Sequence, residues 1–424
     1  MPRASAGVRL ETVEMARRNG ELADRKDLHD GRSIWHDTKR RSVRTRQIRG
    51  DETFDILIVG GGITGAIIAL SLSAAGHEIA VVDRRPPGEG STIASTAMIQ
   101  FELDTPLIHL ARKIGRENAE RAYRRSARAV CELKELISEH ALTAFWVDRN
   151  ALYLAGSRLG PRSMKDEVEA RRAIGLESRY LTAAEVRDIY GIETSAAILS
   201  AGSGEINPAS TAAECLRTAK RYGATLISPC EIVKLEGAGQ RVRLTTAEGN
   251  VLSARRVILT TGYEVVPSLP KDAFEIVSSW AIATKPLQAS EFWPGRCLIW
   301  EAADPYLYLR TTHDRRILAG GEDSGLTNPE RRAEAVPAKA QHLINKVRKL
   351  LGKPDLEIDY AWGGAFADSP KSLPVFKPVD GVAGAFAVLG SGGNGITFAM
   401  LAASVVKSWL AGRTDRDAHL FRGD

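Results

Sequence analysis

The chain has 424 residues, of which 44% are hydrophobic and 26% are charged, and it contains only four cysteines. This composition excludes a disordered chain, a collagen and a small disulfide scaffold, and the length suggests two or three domains. The net charge of +6 lies entirely in residues 1–50, which carry 13 Lys or Arg and 7 Asp or Glu. Since the rest of the chain is neutral, we expect no nucleic-acid partner.

Residues 1–53 form a basic amino-terminal arm, which ends in the run KRRSVRTRQIRG from Lys39 to Gly50. The arm has no sustained apolar periodicity and few large apolar residues. We therefore expect it to be poorly ordered or draped over the surface. The alternatives are a contact with a partner and a contact with a phosphate or another anion.

The cysteines and the apolar segments indicate the compartment. Cys131, Cys215, Cys230 and Cys297 form no CxxC pair and have no histidine at metal-ligand spacing, so we expect reduced thiols, no metal site and a cytoplasmic protein. The first 30 residues contain no apolar core of a signal peptide. The uncharged stretch from Ile56 to Gly76 has the length of a membrane span, but its four glycines within six positions favour a buried strand, turn and helix.

A glycine-rich motif lies at the start of the neutral part of the chain. The segment FDILIVGGGITGAIIALSLSAAGHEIAVVDRR, from Phe54 to Arg85, places Gly60, Gly62 and Gly65 at G-x-G-x-x-G spacing between a strand and a helix. In such a motif the glycines make the turn, admit a pyrophosphate and pack the helix on the sheet. Asp83 ends the next strand, where its carboxylate can accept hydrogen bonds from a ribose. The motif predicts a dinucleotide site, and its other candidate residues are Ile63, Thr64 and Arg84.

The loop after this motif is dense in Gly, Ser and Thr. Its segment PPGEGSTIAST, from Pro86 to Thr96, resembles the second flavin-contacting segment of the FAD-dependent D-amino-acid oxidase and glycine oxidase superfamily. The resemblance implies that the dinucleotide is FAD. We expect the FAD to be noncovalent, because no Cys follows Cys297 and no His or Cys lies at the first strand–helix turn. The candidate cofactor residues of this segment are Gly90, Ser91, Thr92, Ser95 and Thr96.

Two segments in the middle of the chain extend the resemblance, which covers the chain from Phe54 to its end. Ser203 to Glu236 resembles the family's turn, long helix and adenine strand, and it implies that Val233 neighbours the adenine. Arg255 to Pro267 resembles the strand that ends against the FAD, here at Thr261 and Gly262. A buried strand with a tight turn is the alternative for this second segment.

A last segment, LGSGGNGITFAMLAASVVKSWL from Leu389 to Leu410, places a glycine-rich turn before an amphipathic helix. In the family the matching helix points its amino terminus at the pyrimidine edge of the flavin, where free N–H groups stabilise negative charge. A capping turn without a ligand is the alternative. The resemblance assigns the flavin contact to Gly392, Gly393, Asn394, Gly395 and Ile396.

The predicted fold class is α/β, or α+β overall, with a Rossmann-like FAD-binding domain built from discontinuous segments and a β-rich substrate domain. We assign residues 54–140, 195–265 and 356–424 to the FAD-binding domain. Residues 141–194 and 266–355 are assigned to the substrate domain.

The clearest substrate candidates lie on a predicted hairpin from Asp304 to Asp323. Strand alternation places Tyr306, Tyr308 and Arg310 on one face. Arg310 could bind a substrate carboxylate as a two-donor fork, helped by the Tyr308 hydroxyl, and the resemblance favours Arg310. A solvent-facing strand with an aromatic–Arg ladder is the alternative. Further along the chain, the residues that could face the flavin ring or its substrate are Trp362, Gly363 and Lys371.

The predicted function is that of an FAD-dependent oxidoreductase that oxidises the C–N bond of a small amino acid or amine by hydride transfer to flavin N5. Oxidation of a C–O bond in a 2-hydroxy acid or polyol phosphate is one alternative, and a non-catalytic FAD-binding assembly protein is the other. The expected partner is a small-molecule substrate, with no transmembrane span, and the electron acceptor stays open.

Overall fold

The computed structural model describes residues 27–38, 41–142, 146–264, 275–369, 371–390 and 392–423. The strands are β1 (His29–Arg32), β2 (Glu52–Val59), β3 (Ile79–Val82), β4 (Met98–Ile99), β5 (Val147–Leu154), β6 (Ser178–Thr182), β7 (Ala196–Glu205), β8 (Thr225–Ile227), β9 (Ile232–Ala238), β10 (Arg241–Thr246), β11 (Val251–Gly262), β12 (Glu275–Thr284), β13 (Leu298–Glu301), β14 (Leu307–Thr311), β15 (Ile317–Ser324), β16 (Ile358–Asp368), β17 (Val375–Pro378) and β18 (Ala385–Leu389). The α-helices are α1 (Ile63–Ser73), α2 (Leu107–Ile114), α3 (Arg116–Glu139), α4 (Pro161–Ala173), α5 (Ala183–Tyr190), α6 (Pro208–Arg221), α7 (Pro329–Leu351) and α8 (Gly395–Leu410).

The first sheet contains the glycine-rich motif. Its strands follow the order β17-β18-β11-β2-β3-β8, and β9 and β10 continue from β11 as an antiparallel meander. Strands β18, β11, β2, β3 and β8 run parallel. The last four residues of β2 and all of β3 are buried, as expected for central parallel strands covered on both faces. This arrangement confirms the predicted α/β class.

The second sheet is larger and mostly antiparallel. Its order is β1-β16-β12-β15-β14-β13-β5-β7-β4, and β6 pairs with β7. Strands β7 and β16 belong to this sheet, although the sequence-based boundaries placed residues 195–265 and 356–424 in the FAD-binding domain. The boundaries differ because an apolar pattern identifies a strand but not its neighbours, which are β5 for β7 and β12 for β16.

Helix α1 connects the glycine-rich turn to the core. It lies against α6 and α8, and every residue of the helix except Thr64 is buried. A helix covered on all sides needs apolar or small residues around its whole circumference, which explains its uniformly apolar sequence. No helix in the described ranges has both the length and the apolar character that a bilayer crossing requires.

The amino-terminal segment of residues 27–38, named the strap here, is part of the fold. Its strand β1 pairs antiparallel with β16, and the side chains of Ile34 and Trp35 are only 5% and 4% exposed. Farther along, the Arg46 N–H donates to the Leu226 carbonyl over 2.9 Å, which ties residues 41–50 to β8. Of the two expectations for the arm, draping over the surface rather than poor order applies to its described part. Residues 1–26, 39 and 40 lie outside the described residues.

The sequence did not predict the strap because the residues that attach it to the fold do not recur at regular spacing. Strand β1 has four residues, all partly or fully exposed, and it adds to an existing sheet edge through backbone hydrogen bonds. The apolar anchor is a single turn that contains Ile34 and Trp35. Neither feature produces the repeating apolar spacing by which strands and helices are recognised.

Candidate functional site

A long cavity opens along the carboxyl ends of β2, β3 and β11 and continues to β12, β14 and β16 of the second sheet. It encloses about 1960 Å³ of empty space, its mouth included. Of the twenty residues predicted to contact the cofactor, eighteen line this cavity, and Gly65 and Val233 do not. Residues far apart in the chain thus converge on one elongated space.

The glycine turn at the end of β2 allows two close backbone approaches. Gly60 has a φ of +113°, and a Cβ there would lie 2.3 Å from the Thr260 carbonyl oxygen. A Cβ on Gly65 would lie 1.9 Å from the Gly60 carbonyl oxygen, so Gly65 packs the helix against the turn rather than lining the cavity. At the start of α1, the Ile63 N–H donates to the Thr92 hydroxyl over 2.9 Å. These contacts require glycine at both positions.

Asp83 lies at the end of β3 and closes the same turn. One carboxylate oxygen accepts from the Gly61 N–H over 2.6 Å, and the other accepts from the Arg85 N–H over 2.8 Å. Burial raises the pKa of the Asp83 carboxyl, while the two backbone hydrogen bonds act in the opposite direction. Asp83 lines the cavity, where a ribose hydroxyl could share the carboxylate.

Charged side chains surround this end of the cavity. Both Arg84 and Arg85 form ion pairs with Glu264, and the two Arg85 contacts measure 2.9 and 3.1 Å. Arg84 also lies 3.5 Å from Glu231. Glu264 follows the Thr261–Gly262 turn directly, so its carboxylate joins the end of β11 to the end of β3. Sequence reasoning identified Arg84 but missed Arg85 and Glu264.

The loop of residues 86–97 crosses the middle of the cavity, and side chains from three distant segments hold it. The Trp362 indole N–H donates to the Ala94 carbonyl over 2.8 Å, and the Trp35 indole N–H donates to the Ser95 carbonyl over 2.7 Å. The Arg310 guanidinium donates to the Thr96 carbonyl over 2.6 Å. Three consecutive carbonyls are thus fixed from outside the loop.

Arg310 does not have the predicted substrate-binding geometry. Its guanidinium is 2% exposed and also donates to the Ile206 and Thr311 carbonyls over 2.9 and 3.1 Å. It lies 3.6 Å from the Glu205 carboxylate and over the Trp35 ring, and it is not among the residues that line the cavity. Burial lowers the pKa of Arg310. The predicted strand face was right, but the strap and the loop cover the Arg310 end of that face.

Three other predicted positions also fall outside the cavity. Val233 lies one position beyond the lining residues Cys230, Glu231 and Ile232, so β9 meets the cavity one residue earlier than expected. A Cβ on Gly363 would lie 3.1 Å from the Trp280 indole nitrogen, which indicates a packing role. Lys371 is exposed and does not line the cavity.

Aromatic side chains enclose the end of the cavity opposite Asp83. Tyr306 and Tyr308 lie there with ring centroids 5.7 Å apart. Burial raises the pKa of Tyr308 to about 12 and that of Tyr306 well above its ordinary value, so both phenols stay protonated near neutral pH. Tyr306 hydrogen-bonds to Asp323, and Tyr308 to Thr96 and Ser279. The other aromatic residues that line this end are Tyr263, Trp280, Trp300, Trp362 and Phe366.

The second glycine turn, at the start of α8, borders the aromatic end. Gly392 has a φ of +52°, and a Cβ on Gly393 would lie 2.9 Å from an oxygen of Asp104. The Asn394 amide donates to the Glu102 carbonyl over 2.7 Å, which fixes the start of the helix. Asp104 is exposed and lines the cavity. Sequence reasoning missed Asp104 because a single acid in a loop has no distinguishing spacing.

The cavity suits a ligand that combines a dinucleotide with a flat ring system. Close glycine turns lie at both ends, a carboxylate lies at the ribose position, and aromatic surfaces lie beyond. Three lining residues hold buried polar atoms without a hydrogen-bond partner among the described residues: Ser91 Oγ, Gln100 Oε1 and Trp300 Nε1. Such atoms are rare in folded proteins unless a ligand or water completes them. The residues therefore fit FAD.

The fold and this cavity define a dinucleotide-dependent oxidoreductase. The chain belongs to the DAO family of FAD dependent oxidoreductases, which matches residues 55–409. FAD is therefore its cofactor. The strap precedes the matched region.

Known proteins with similar sequences or structures include enzymes named for an amine and for amino acids. Gamma-glutamylputrescine oxidoreductase of Escherichia coli (strain K12) is 23% identical over 86% of this chain and 85% of its own length. The crystal structure of L-proline dehydrogenase from P. horikoshii matches with a TM-score of 0.73 at 20% identity, covering 88% of this chain and 97% of that one. Glycine oxidase from Geobacillus kaustophilus matches with a TM-score of 0.69 at 19% identity, covering 86% and 96%. The chain is accordingly an FAD-dependent oxidoreductase of this family.

Proposed function

We propose that this protein oxidises the C–N bond of a small amine, and that it recognises the amine without a dedicated carboxylate-binding arginine. The supporting observation is the charge of the cavity. Only Arg84 and Arg85 are cationic among the described residues that line it, and both are paired with Glu264 at the end that holds Asp83. The aromatic end carries the carboxylate of Asp104 instead.

Bound FAD would accept a hydride from the carbon that bears the nitrogen, and the protein's task is to hold that carbon in place. Aromatic rings on several sides exclude water and attract an ammonium group through their faces. Asp104 adds a negative charge that favours a cationic substrate. The ammonium must lose one N–H proton before the hydride leaves, because the new C=N bond uses the nitrogen lone pair, and the exposed Asp104 carboxylate is the group that could take this proton. Tyr306 and Tyr308 remain protonated, so they act as walls and hydrogen-bonding groups rather than as bases.

The similar proteins support the reaction class. One relative is named for gamma-glutamylputrescine, which is an amine, and two structures are named for amino acids. Amino acids are therefore the closest competing substrates. With Arg310 committed to three backbone carbonyls, a free amino acid would bring a carboxylate next to Asp104. Repulsion between these carboxylates should make an amino acid a poorer substrate than the corresponding amine.

Anaerobic reduction of the flavin tests this function. The FAD-loaded protein is mixed with matched pairs of an amine and the amino acid that differs from it by one carboxylate, and loss of the oxidised flavin absorption is followed by stopped flow. We expect the amines to reduce the flavin at least 10-fold faster at equal concentration. Faster reduction by a 2-hydroxy acid or polyol phosphate would indicate C–O oxidation. A flavin that no member of the panel reduces would contradict the catalytic proposal.

A further inference from the structure

Two histidines of the strap and a glutamate of the cofactor-facing loop form a cluster with the composition of a metal site. His29, His36 and Glu89 each offer one ligand atom, and these atoms lie within 4.8 Å of one another. The two imidazole rings are 5.7 Å apart at an interplanar angle of 64°. His36 is exposed, while His29 and Glu89 are half-buried, so an ion could enter from solvent.

The cluster spans the strap and the loop that lines the cavity. His29 belongs to β1 and His36 to the turn that follows it, whereas Glu89 directly precedes the turn Gly90–Ala94. Glu89 itself lines the cavity. An ion held by all three residues would join the strap to the loop that contacts the cofactor. The same two segments are already joined by the hydrogen bond from Trp35 to Ser95.

The chemistry of the three side chains favours a transition-metal ion over Mg²⁺ or Ca²⁺, because two of the three ligands are imidazoles. The Ser33 N–H donates to His36 Nδ1 over 3.2 Å, and the Ser33 hydroxyl and carbonyl oxygens lie 3.1 and 3.2 Å from the same nitrogen. To bind an ion through Nε2, the ring would take the tautomer protonated at Nδ1 and exchange the Ser33 N–H contact for a hydrogen bond from Nδ1 to a Ser33 oxygen.

The required rearrangement is small. A tetrahedral Zn²⁺ at about 2.0–2.1 Å from each ligand places the ligand atoms roughly 3.3 Å apart, so the cluster would have to contract by about 1.5 Å at its widest. Rotation of the exposed His36 side chain can provide this without moving the backbone. Other charges near His29 are those of Asp30 and Arg85, and Arg85 is already paired with Glu264.

We propose that His29, His36 and Glu89 bind one Zn²⁺ ion, with water as the fourth ligand, and that this ion fastens the strap over the cofactor-facing loop. Two of the three ligands, His29 and His36, precede the region that the family model matches, whereas Glu89 lies within it. It is therefore a property of this chain's amino-terminal extension together with the loop. It adds to the proposed oxidation and does not depend on it.

Zinc titration of the intact FAD-loaded protein tests the proposal. The protein must carry no histidine tag, is stripped with a chelator, and is titrated with ZnCl₂ by calorimetry, with bound zinc counted by atomic emission after gel filtration. We expect one Zn²⁺ per chain. His36→Gln and Glu89→Gln should each weaken binding at least 10-fold, whereas His77→Gln, which changes an exposed histidine elsewhere, should bind as the parent does.

A second measurement separates a specific site from zinc bound elsewhere. Saturating Zn²⁺ should raise the melting temperature of the parent by several degrees and slow the release of FAD at least twofold, and neither effect should occur in His36→Gln. Because His36 is exposed, this variant should fold and retain FAD in the absence of zinc. The proposal is overturned if the parent binds less than half an equivalent, or if His36→Gln and Glu89→Gln bind zinc as tightly as the parent.

Discussion

Replacing Arg310 by methionine separates a structural role of this arginine from a role in substrate binding. Methionine keeps an unbranched apolar side chain of similar reach but removes all five N–H donors. In the parent these donors serve the carbonyls of Thr96, Ile206 and Thr311, and the guanidinium is 2% exposed. The change would therefore leave buried acceptors unpaired, and it would leave the nearby Glu205 carboxylate with Arg149, 3.0 Å away, as its remaining cation.

The expected loss follows from these contacts. An unpaired buried polar group costs roughly 1–3 kcal/mol, and Arg310 serves three buried carbonyls. Because these contacts share one guanidinium, their costs do not add in full. Since Glu205 keeps its ion pair with Arg149, we expect the free energy of unfolding to fall by about 3–5 kcal/mol, mainly from the three carbonyls. The Thr96 carbonyl lies in the loop that lines the cavity, so the affinity for FAD should fall as well.

Urea unfolding measures the stability of Arg310→Met, and fluorescence titration of the apoprotein measures its affinity for FAD. Arg128→Met is the matched control, because the Arg128 side chain is 75% exposed and pairs only with Glu132 one helical turn away. Its effect should stay within about 0.5 kcal/mol. Our reasoning is refuted if Arg310→Met unfolds and binds FAD like the parent while KM rises for amino acids and not for amines.

Four further substitutions test other contacts. Gly65→Ala would place a methyl group 1.9 Å from the Gly60 carbonyl oxygen and should reduce the flavin content at least 10-fold, whereas Gly325→Ala meets open space and should not. Asp83→Ala should weaken FAD binding by about 1–3 kcal/mol in a fluorescence titration. Arg171→Met would leave the buried Glu102 and Glu167 unpaired and should lower the free energy of unfolding by about 3–5 kcal/mol. Asp104→Asn should raise KM for amines several-fold while the flavin content stays normal.

The sequence was informative wherever function requires a special backbone. Gly60 and Gly65 were recognised because close backbone approach imposes glycine at fixed spacing, and the structure contains those approaches. The turn before α8 was recognised for the same reason. Strand alternation placed Tyr306, Tyr308 and Arg310 on one face, and of these Tyr306 and Tyr308 line the cavity.

The sequence was uninformative wherever a side chain's role depends on what covers it. Arg310 and Tyr308 share one face of β14, yet Tyr308 lines the cavity and Arg310 lies under Trp35. That cover comes from the strap, about 275 residues earlier in the chain. No local pattern links the two segments. Alternation along a strand specifies a face, and only the tertiary fold specifies what lies against it.

The prediction for Arg310 and the unpredicted packing of the strap therefore differ from the structure for the same reason. Trp35, Arg310 and Trp362 belong to three separate parts of the chain, and each donates to one of three consecutive carbonyls from Ala94 to Thr96. The three carbonyls lie at and just beyond the end of the short 3-10 helix Gly90–Ala94, where backbone acceptors have no partner within the helix, so donors from other segments must satisfy them. Two of those donors lie on the second sheet, on β14 and β16, and the third lies on the strap. Changes in the second sheet or the strap should consequently alter retention of the cofactor as well as the choice of substrate.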